Sequence, residues 1–410
     1  MSLINLVNEK PVHLVLAKDR VRSVKRGHPW IFPEVLRELP RAPAGSLALL
    51  KTADGEILAK GYYDPASKLA FRTFALQKDK LDESLIAARL GRAAALRDAL
   101  FAPFDQTNGF RLINGEGDGL PGLVVDVYND SAVVKLDGAG AEAFYNANGL
   151  AAWLQQRLAG RLATVYMKYR TASGVKEEEE RGRLLAGVAP SAERPARFVE
   201  NGVQFQADIV QGQKTGFFLD QRDNRAFIRR LSNNKRVLNV FGYTGGFSVY
   251  AGVGGASHVT TVDVGKAALS FADANWALNG LEPSRHVAAA EDAFEFLERA
   301  GKAREKWEVV IIDPPSFAPS KQAVEKAKAS YTRLFAAAAS VTAPHGTLAL
   351  ASCSSHIDSA MFMEICDEAL GKARRQGYVL GVGGQPADHP YPAAADELRY
   401  LKFVTFRLEN

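Results

Sequence analysis

Cysteine is scarce in this chain. Among 410 residues there are two, Cys353 and Cys366, too few for a disulfide framework and with no four-ligand zinc spacing. A cysteine that matters here matters as a thiol. Long apolar runs are also missing: none approaches the ~20 residues of a membrane span. The opening Met1-Ser-Leu-Ile-Asn-Leu-Val-Asn-Glu-Lys10 lacks the basic-then-apolar order of a signal peptide. The expectation is a cytoplasmic protein with no membrane partner. Neither sign of charge dominates, with 51 Lys and Arg against 46 Asp and Glu. The small positive balance is nevertheless uneven. Residues 1–80 hold fourteen cations against eight acids, and residues 81–410 hold thirty-seven against thirty-eight, so all of the excess lies in the first fifth of the chain.

At this length two or three domains are expected. Residues 1–80 alternate short strand signals with turns: Val12 to Leu16, Ser46 to Leu50, Ile57 to Tyr63 and Leu69 to Leu76. No long helix interrupts them, which predicts a small β barrel. Between its first two strand signals stand Lys18, Arg20, Arg22, Lys25 and Arg26, followed by His28, Trp30 and Phe32. Cations for phosphates beside aromatic faces for bases suit RNA. The same string also describes a solvated basic helix whose aromatics staple it to the barrel, and composition alone leaves both readings open.

Residues 81–196 predict a central α+β domain with a linker helix. Lys80 to Phe101 has helical period, with Leu81, Leu85, Ile86, Leu90, Ala94, Leu96 and Leu100 as its apolar face. The glycine-rich stretch from Phe110 to Gly122 precedes no helix start and is assigned to tight turns rather than to phosphate binding. A helix from about Ala141 to Leu158 and strands at Ala132 to Leu136 and Ala163 to Lys168 follow. The run from Lys176 to Arg181 has no apolar face and reads as a solvated loop.

From Arg197 to the end the texture becomes βα alternation, the signature of a doubly wound α/β sheet. Strands are expected at Val237 to Phe241, His258 to Val264, His286 to Ala290, Val309 to Ile312 and Thr347 to Ser352. Two late strands, Tyr378 to Val382 and Leu398 to Leu408, make a Rossmann-like methyltransferase variant with an antiparallel last strand. The apolar, β-branched Val309-Val-Ile-Ile312 ends at Asp313-Pro-Pro315. That parks a carboxylate beyond a strand's carboxyl end, where ligands sit in open parallel sheets. The glycine turn Phe241-Gly-Tyr243-Thr244-Gly245 follows the first of these strands, and Asp263 stands twenty-one residues after Gly242, the spacing of a ribose-binding acid. Thr244 and Phe247 occupy the third and sixth positions of a dinucleotide fingerprint where glycines would be needed, so no pyrophosphate is expected. Asp292 ends the third strand. Any one of these acids alone could be a helix cap, but a series at the ends of strands two, three and four argues against capping.

The fifth strand ends in Cys353. With neighbouring strands four and five, Asp313 and Cys353 face one bound molecule. Carbon 5 of a pyrimidine is a poor nucleophile until a thiolate adds to carbon 6, and a proton donor at ring nitrogen 3 helps that addition. An ordinary thiol, pKa about 8.5, is a few per cent ionised at neutral pH, so local activation is expected. Cys366 reads as packing.

The chain resembles the bacterial 23S ribosomal RNA cytosine-5 methyltransferases of the RlmI type over nearly its whole length. The resemblance is carried by His28-Pro-Trp-Ile-Phe32, Arg111-Leu-Ile-Asn-Gly-Glu116, Asp118-Gly-Leu-Pro-Gly122 and Ala387-Asp-His-Pro390. It continues in Val237-Leu-Asn239-Val-Phe241, Tyr243-Thr-Gly-Gly-Phe247, Asp313-Pro-Pro, Ser352-Cys353-Ser354, and above all Lys214-Thr-Gly-Phe-Phe-Leu-Asp220-Gln-Arg222. It implies an N-terminal PUA domain for RNA, a central α+β domain and a C-terminal domain binding S-adenosyl-L-methionine. It also implies Cys353 as nucleophile with Asp313 beside it, and Lys214, Asp220, Arg222, Asn239, Phe241, Tyr243, Thr244, Gly245, Asp263, Asp292 and Asp313 around the cofactor. The implied partner is 23S rRNA, naked or in an assembly intermediate, and a homodimer is compatible with it. No metal is expected. Two departures touch the target pocket: Ser355 stands where the compared member has glycine, and Ser316 where it has lysine. Methylation of a guanine nitrogen on the same fold, or an rRNA-binding assembly module without catalysis, remain the alternatives.

Overall fold

The computed structural model describes residues 1–169, 181–191, 193–318 and 320–409. The acidic run 176–180 lies outside the described residues. The chain forms two compact units. The first comprises residues 1–198, 207–216 and 387–396; the second comprises 199–206, 217–386 and 397–410.

In the first unit, strands β1 (Val12–Val15), β2 (Trp30–Ile31), β3 (Ser46–Lys51), β4 (Ile57–Tyr63) and β5 (Phe71–Leu76) form a sheet of order β1-β3-β4-β5-β2. The predicted strands are present within two residues. The string of cations and aromatics splits into a one-turn helix, α1 (Val21–Lys25), and the two-residue β2, which pairs with β5 through Trp30↔Arg72. A second sheet, order β10-β9-β8-β7-β6, comprises β6 (Gly109–Asn114), β7 (Leu123–Tyr128), β8 (Ser131–Leu136), β9 (Thr164–Lys168) and β10 (Gly182–Gly187). Helix α2 (Glu83–Phe101) buries Ile86, Leu90, Ala93 and Ala94 in the same core as Phe110, Ile113 and Leu123. Its expected apolar face is corrected at two positions. Leu96 and Leu100 are 38% and 40% exposed, and Arg97 is buried in the last turns instead. The single helix expected over Ala141 to Leu158 is two, α3 (Ala139–Phe144) and α4 (Ala147–Arg157). The break falls at Asn146, whose side chain caps α4 by accepting from the Gly149 amide at 3.0 Å.

Arg97 explains the Phe110 to Gly122 stretch. Its guanidinium donates to both oxygens of Asp118 at 2.7 and 2.9 Å, to the Arg111 carbonyl at 2.8 Å and to the Asp388 carbonyl at 2.6 Å. The glycines fold the backbone around this pair. Gly115, Gly119 and Gly122 have positive φ, and a Cβ on Gly117 would lie 1.8 Å from the Pro390 carbonyl. The stretch is structural, as its sequence suggested.

A hairpin of β11 (Ala196–Glu200) and β12 (Val203–Ala207) opens the second unit, which takes residues 199–206 of it. There the sheet has β13 (Arg236–Val240), β14 (His258–Val262), β15 (His286–Ala289), β16 (Trp307–Ile312), β17 (Thr342–Ser352), β18 (Gly377–Gly383) and β19 (Lys402–Leu408), in order β15-β14-β13-β16-β17-β19-β18. The first five strands are parallel, and β19 runs antiparallel to both neighbours. Helices α5 (Arg222–Leu231), α6 (Gly246–Val253), α7 (Lys266–Leu278), α8 (Ala293–Lys302), α9 (Val324–Val341) and α10 (Ser359–Lys372) complete it. Alternation within the strands builds two cores. Val237, Val309, Ile311 and Ala349 pack on one face with Phe247 and Trp276; Leu238, Val310, Ile312 and Leu350 pack on the other with Leu334 and Phe335. Strand order reverses between β13 and β16, and the crevice beyond their carboxyl ends is where such sheets bind ligands.

Candidate active site

The turn after β13 is strained on purpose. Phe241 and Tyr243 hold φ of +59° and +46°, conformations that cost a non-glycine residue about 1 kcal/mol or more. Between them Gly242 admits no side chain, since a Cβ would meet Thr261 Cγ2 at 2.3 Å. Asp263 fixes the loop: its Oδ2 accepts the Tyr243 amide at 3.0 Å and its Oδ1 the Gly265 amide at 2.8 Å. Beneath the loop Asn239 donates to Ser248 Oγ at 2.9 Å. Thr244 is buried, its carbonyl accepts from Asn275 Nδ2 at 2.9 Å, and its Oγ1 has no hydrogen-bond partner. Gly245 completes the turn at φ +79°. A backbone pinched this tightly, a carboxylate at its rim and a buried hydroxyl still owed a partner fit a nucleoside-bearing cofactor.

Asp292 is the N-cap of α8, with Oδ1 accepting from the Phe294 and Glu295 amides at 2.8 and 3.2 Å. Contrary to the expectation from acids in series, Asp292 is a helix cap. The Asp-Ala-Phe-Glu spacing was itself a capping signal.

Asp313 follows directly on β16. Gln221 Nε2 donates to its Oδ2 at 2.9 Å, and Asn224 Nδ2 donates to Gln221 Oε1 at 2.6 Å, so the amide is oriented from behind. Burial and the nearby carboxylate of Asp220 push the Asp313 pKa up to about 7, against the lowering effects of the Gln221 hydrogen bond and the charge of Arg225. Asp220 in turn accepts the Tyr400 hydroxyl at 2.6 Å. Arg222 is buried at the start of α5. Three residues on, Arg225 anchors the segment by a two-pronged bond to Glu200, at 2.9 and 2.7 Å, and by donation to the Phe218 carbonyl at 2.8 Å.

Strands β16 and β17 are hydrogen-bonded neighbours with Ile312 opposite Leu350, which settles the adjacency that Asp313 and Cys353 require. Cys353 is half-buried just beyond β17. The serines on either side of it are fully buried and share one anchor, the Tyr331 hydroxyl, 3.1 Å from Ser352 Oγ and 2.9 Å from Ser354 Oγ. Ser316, the residue that replaces a lysine, lies 2.8 Å from Ser354 Oγ. Cys366 is buried in the core, and burial pushes its thiol pKa up.

Sequence reasoning missed Gln221, Tyr331, Tyr400 and Lys402. Gln221 sat inside a quoted motif, and Lys402 was visible as one charge within the apolar Leu401-Lys402-Phe403-Val404. Lys214 belongs to the first unit, exposed, at φ +55°. So do the RNA candidates: Lys18, Arg20, Arg22, Lys25 and Arg26 are exposed, and Lys25 pairs with Glu56 at 3.1 Å. His28 and Trp30 are half-buried, and Trp30 Nε1 donates to Glu116 at 2.9 Å. That bond ties Trp30 to the Gly115–Asp118 stretch. Among the described residues no group of His, Cys, Asp and Glu could hold a metal, and no helix is long and apolar enough to cross a membrane.

Residues 185–399 match the family profile of S-adenosylmethionine-dependent methyltransferases, and residues 14–75 match a PUA-like domain. The chain belongs to the S-adenosylmethionine-dependent methyltransferases. Within that family it is 36% identical over 404 residues to Ribosomal RNA large subunit methyltransferase I of Aliivibrio fischeri, covering 97% of this chain and 99% of the relative. It is also 36% identical over 414 residues to Ribosomal RNA large subunit methyltransferase of Deinococcus radiodurans, covering 97% and 98%. The fold is shared with a methyltransferase solved in complex with SAH, at TM-score 0.84, 22% identity, and 97% and 100% coverage. A protein from Streptococcus mutans described as a SAM-dependent methyltransferase gives TM-score 0.82 at 22% identity, with the same coverage. The cofactor of this methyltransferase is S-adenosylmethionine.

Proposed function

We propose that this methyltransferase forms 5-methylcytosine in large-subunit ribosomal RNA through a covalent adduct with Cys353. The observation that carries the reading is the pairing of β16 with β17, which brings together the ends that bear a carboxyl group of pKa about 7 and a thiol. The names of the relatives and the PUA-like domain support ribosomal RNA as substrate. Lys18, Arg20, Arg22, Lys25 and Arg26 would meet its phosphates, with His28 and Trp30 beside them.

Cys353 Sγ, as thiolate, adds to carbon 6 of a cytosine turned out of its stack. The carbon 5–carbon 6 π pair moves into the ring, and Asp313, about half protonated at neutral pH, gives its proton to ring nitrogen 3. S-adenosylmethionine would be held by Asn239, Phe241, Tyr243, Thr244, Gly245, Asp263 and Asp292 with Asp220 and Arg222 completing the set, and would supply an electrophilic methyl group to carbon 5, its sulfur keeping the pair of the broken bond. Loss of the carbon 5 proton to a base re-forms the double bond and expels the thiolate, and the nitrogen 3 proton returns to Asp313. The proposal retains a three-domain division at residues 80 and 196. It also retains a homodimer, to be tested by sedimentation velocity.

Incubation with ribosomal RNA and labelled S-adenosylmethionine, then nucleoside mass spectrometry, tests the reaction. The expected product is 5-methylcytidine, absent with Cys353→Ala. N-methylguanosine would replace the reading with guanine methylation. RNA and cofactor binding without transfer to any substrate form would leave an assembly module. Unimpaired transfer by Cys353→Ala sinks the covalent step.

A further inference from the structure

The thiol that this reading makes the nucleophile has an ordinary pKa about 8.5 unless its surroundings change it, and the structure supplies a cation at its back. Lys402 opens β19 directly opposite Ser352, the residue before Cys353. It is 5% exposed, an unusual burial for lysine. Its Nζ donates to the Ser354 carbonyl, one residue after the thiol, at 2.6 Å, and to the Tyr400 carbonyl at 2.8 Å. Both of these acceptors are neutral carbonyls. A buried ammonium held by neutral dipoles is costly in lost solvation unless an anion balances it.

We propose that Lys402 is a positioning residue of the transferase site, clamping the Ser352–Ser354 segment and holding the Cys353 sulfur as thiolate. The proposal rests on the covalent reading for its purpose and on thiol chemistry alone for its test.

The surroundings of the pair agree in sign. Burial lowers the Lys402 pKa to about 8, and Cys353 and Asp358 are the charges that pull it back up. Tyr331, the hydroxyl anchoring both flanking serines, is raised by burial and by Cys353, so it stays neutral and adds no competing negative charge. Asp358 caps α10 through its bond to the Met361 amide at 2.8 Å. Lys402 is thus a cation beside the thiol, and it sits on the strand bonded to the thiol's own. In the equilibrium the Cys353 S–H proton passes to water, Sγ keeps the bonding pair, and Lys402 remains protonated. The same lysine grips the Tyr400 carbonyl while the Tyr400 side chain holds Asp220, which ties the backbone behind the thiol to the carboxylates beside Asp313.

The test is the rate of Cys353 alkylation by iodoacetamide against pH, in the full chain without RNA or cofactor, with Cys353→Ala as the blank for Cys366. The wild-type midpoint should lie below 8.5. Lys402→Met should raise it by about one unit, slowing alkylation at pH 7 about tenfold, and Lys402→Arg should restore most of the rate. If Lys402→Met fails to fold by circular dichroism, Lys402→Gln, which keeps a donor without the charge, replaces it. Superimposable wild-type and folded-variant profiles would overturn the proposal. A wild-type midpoint at or above 8.5 would overturn it whatever the variants do. Loss of the covalent reading is a separate result, seen as methyl transfer by Cys353→Ala, and leaves the alkylation profile unaffected.

Discussion

Tyr400 donates its hydroxyl to Asp220 Oδ2 at 2.6 Å, and Asp220 is the charge that helps keep a proton on Asp313. An acid with a pKa about 7 is therefore built by three distant parts of one unit. A catalytic proton donor placed this way loses activity as pH rises through its pKa.

Removing the Gln221 hydrogen bond should move that limb. The bond lowers the Asp313 pKa, so its loss raises it. In Gln221→Ala, kcat/KM against pH is expected to keep its shape while the alkaline limb, near pH 7 in the parent, shifts upward. An unmoved limb would mean that another group titrates there.

Asp313 also leaves a mark on stability. Its folded pKa lies above the ordinary carboxylate value, so between about pH 4 and pH 7 the folded state holds a proton that the unfolded chain has lost, and stability falls as pH rises across that window. Asp313→Asn removes the effect. Its Tm should exceed that of the parent at pH 8 and converge with it near pH 4, each kcal/mol being worth about 2–4 °C for a unit of this size.

The cofactor turn has no room for one methyl group. Gly242→Ala puts a Cβ 2.3 Å from Thr261 Cγ2 and 3.0 Å from Asn239 Nδ2. Overpacking of this kind costs about 1–3 kcal/mol, so calorimetry should show S-adenosylmethionine binding weakened roughly tenfold. Gly371→Ala, where an added Cβ meets nothing within 4 Å, should bind as the parent does.

Arg225 and Glu200 are a buried pair, their side chains 2% and 0% exposed. Glu200→Ala strands a guanidinium in the interior and should cost about 3–5 kcal/mol, visible as a lower urea midpoint by tryptophan fluorescence. The acid segment that Arg225 anchors through the Phe218 carbonyl should loosen with it, so residual activity should fall further than the folded fraction.

What the sequence disclosed and what it hid divide along chain separation. Strand positions, the buried apolar run into Asp313 and the twenty-one-residue step to Asp263 are local patterns, and all are in the structure. The partners that tune the site are not local. Gln221 reaches Asp313 across 92 residues, Tyr400 reaches Asp220 across 180, and Lys402 reaches Ser354 across 48. No periodicity encodes such contacts. Asn146 and Asp292 are caps legible from residue type and spacing, against a continuous apolar pattern in one case and a series of strand-end acids in the other. Lys402 is the intermediate case: its chain position marked it as odd, but only β19 lying against β17 gave the oddity a reason.

The bond from Arg97 to the Asp388 carbonyl spans 291 residues. At about 5–20 residues per second a ribosome takes roughly 15–60 s to make that interval. For all of that time Arg97 waits without its last partner, and Gly117 waits without the chain that Pro390 lays against it. The amino-terminal unit therefore cannot finish first, as the leading part of a nascent chain usually does. It closes only once residues 387–396 have been made, after most of the second unit.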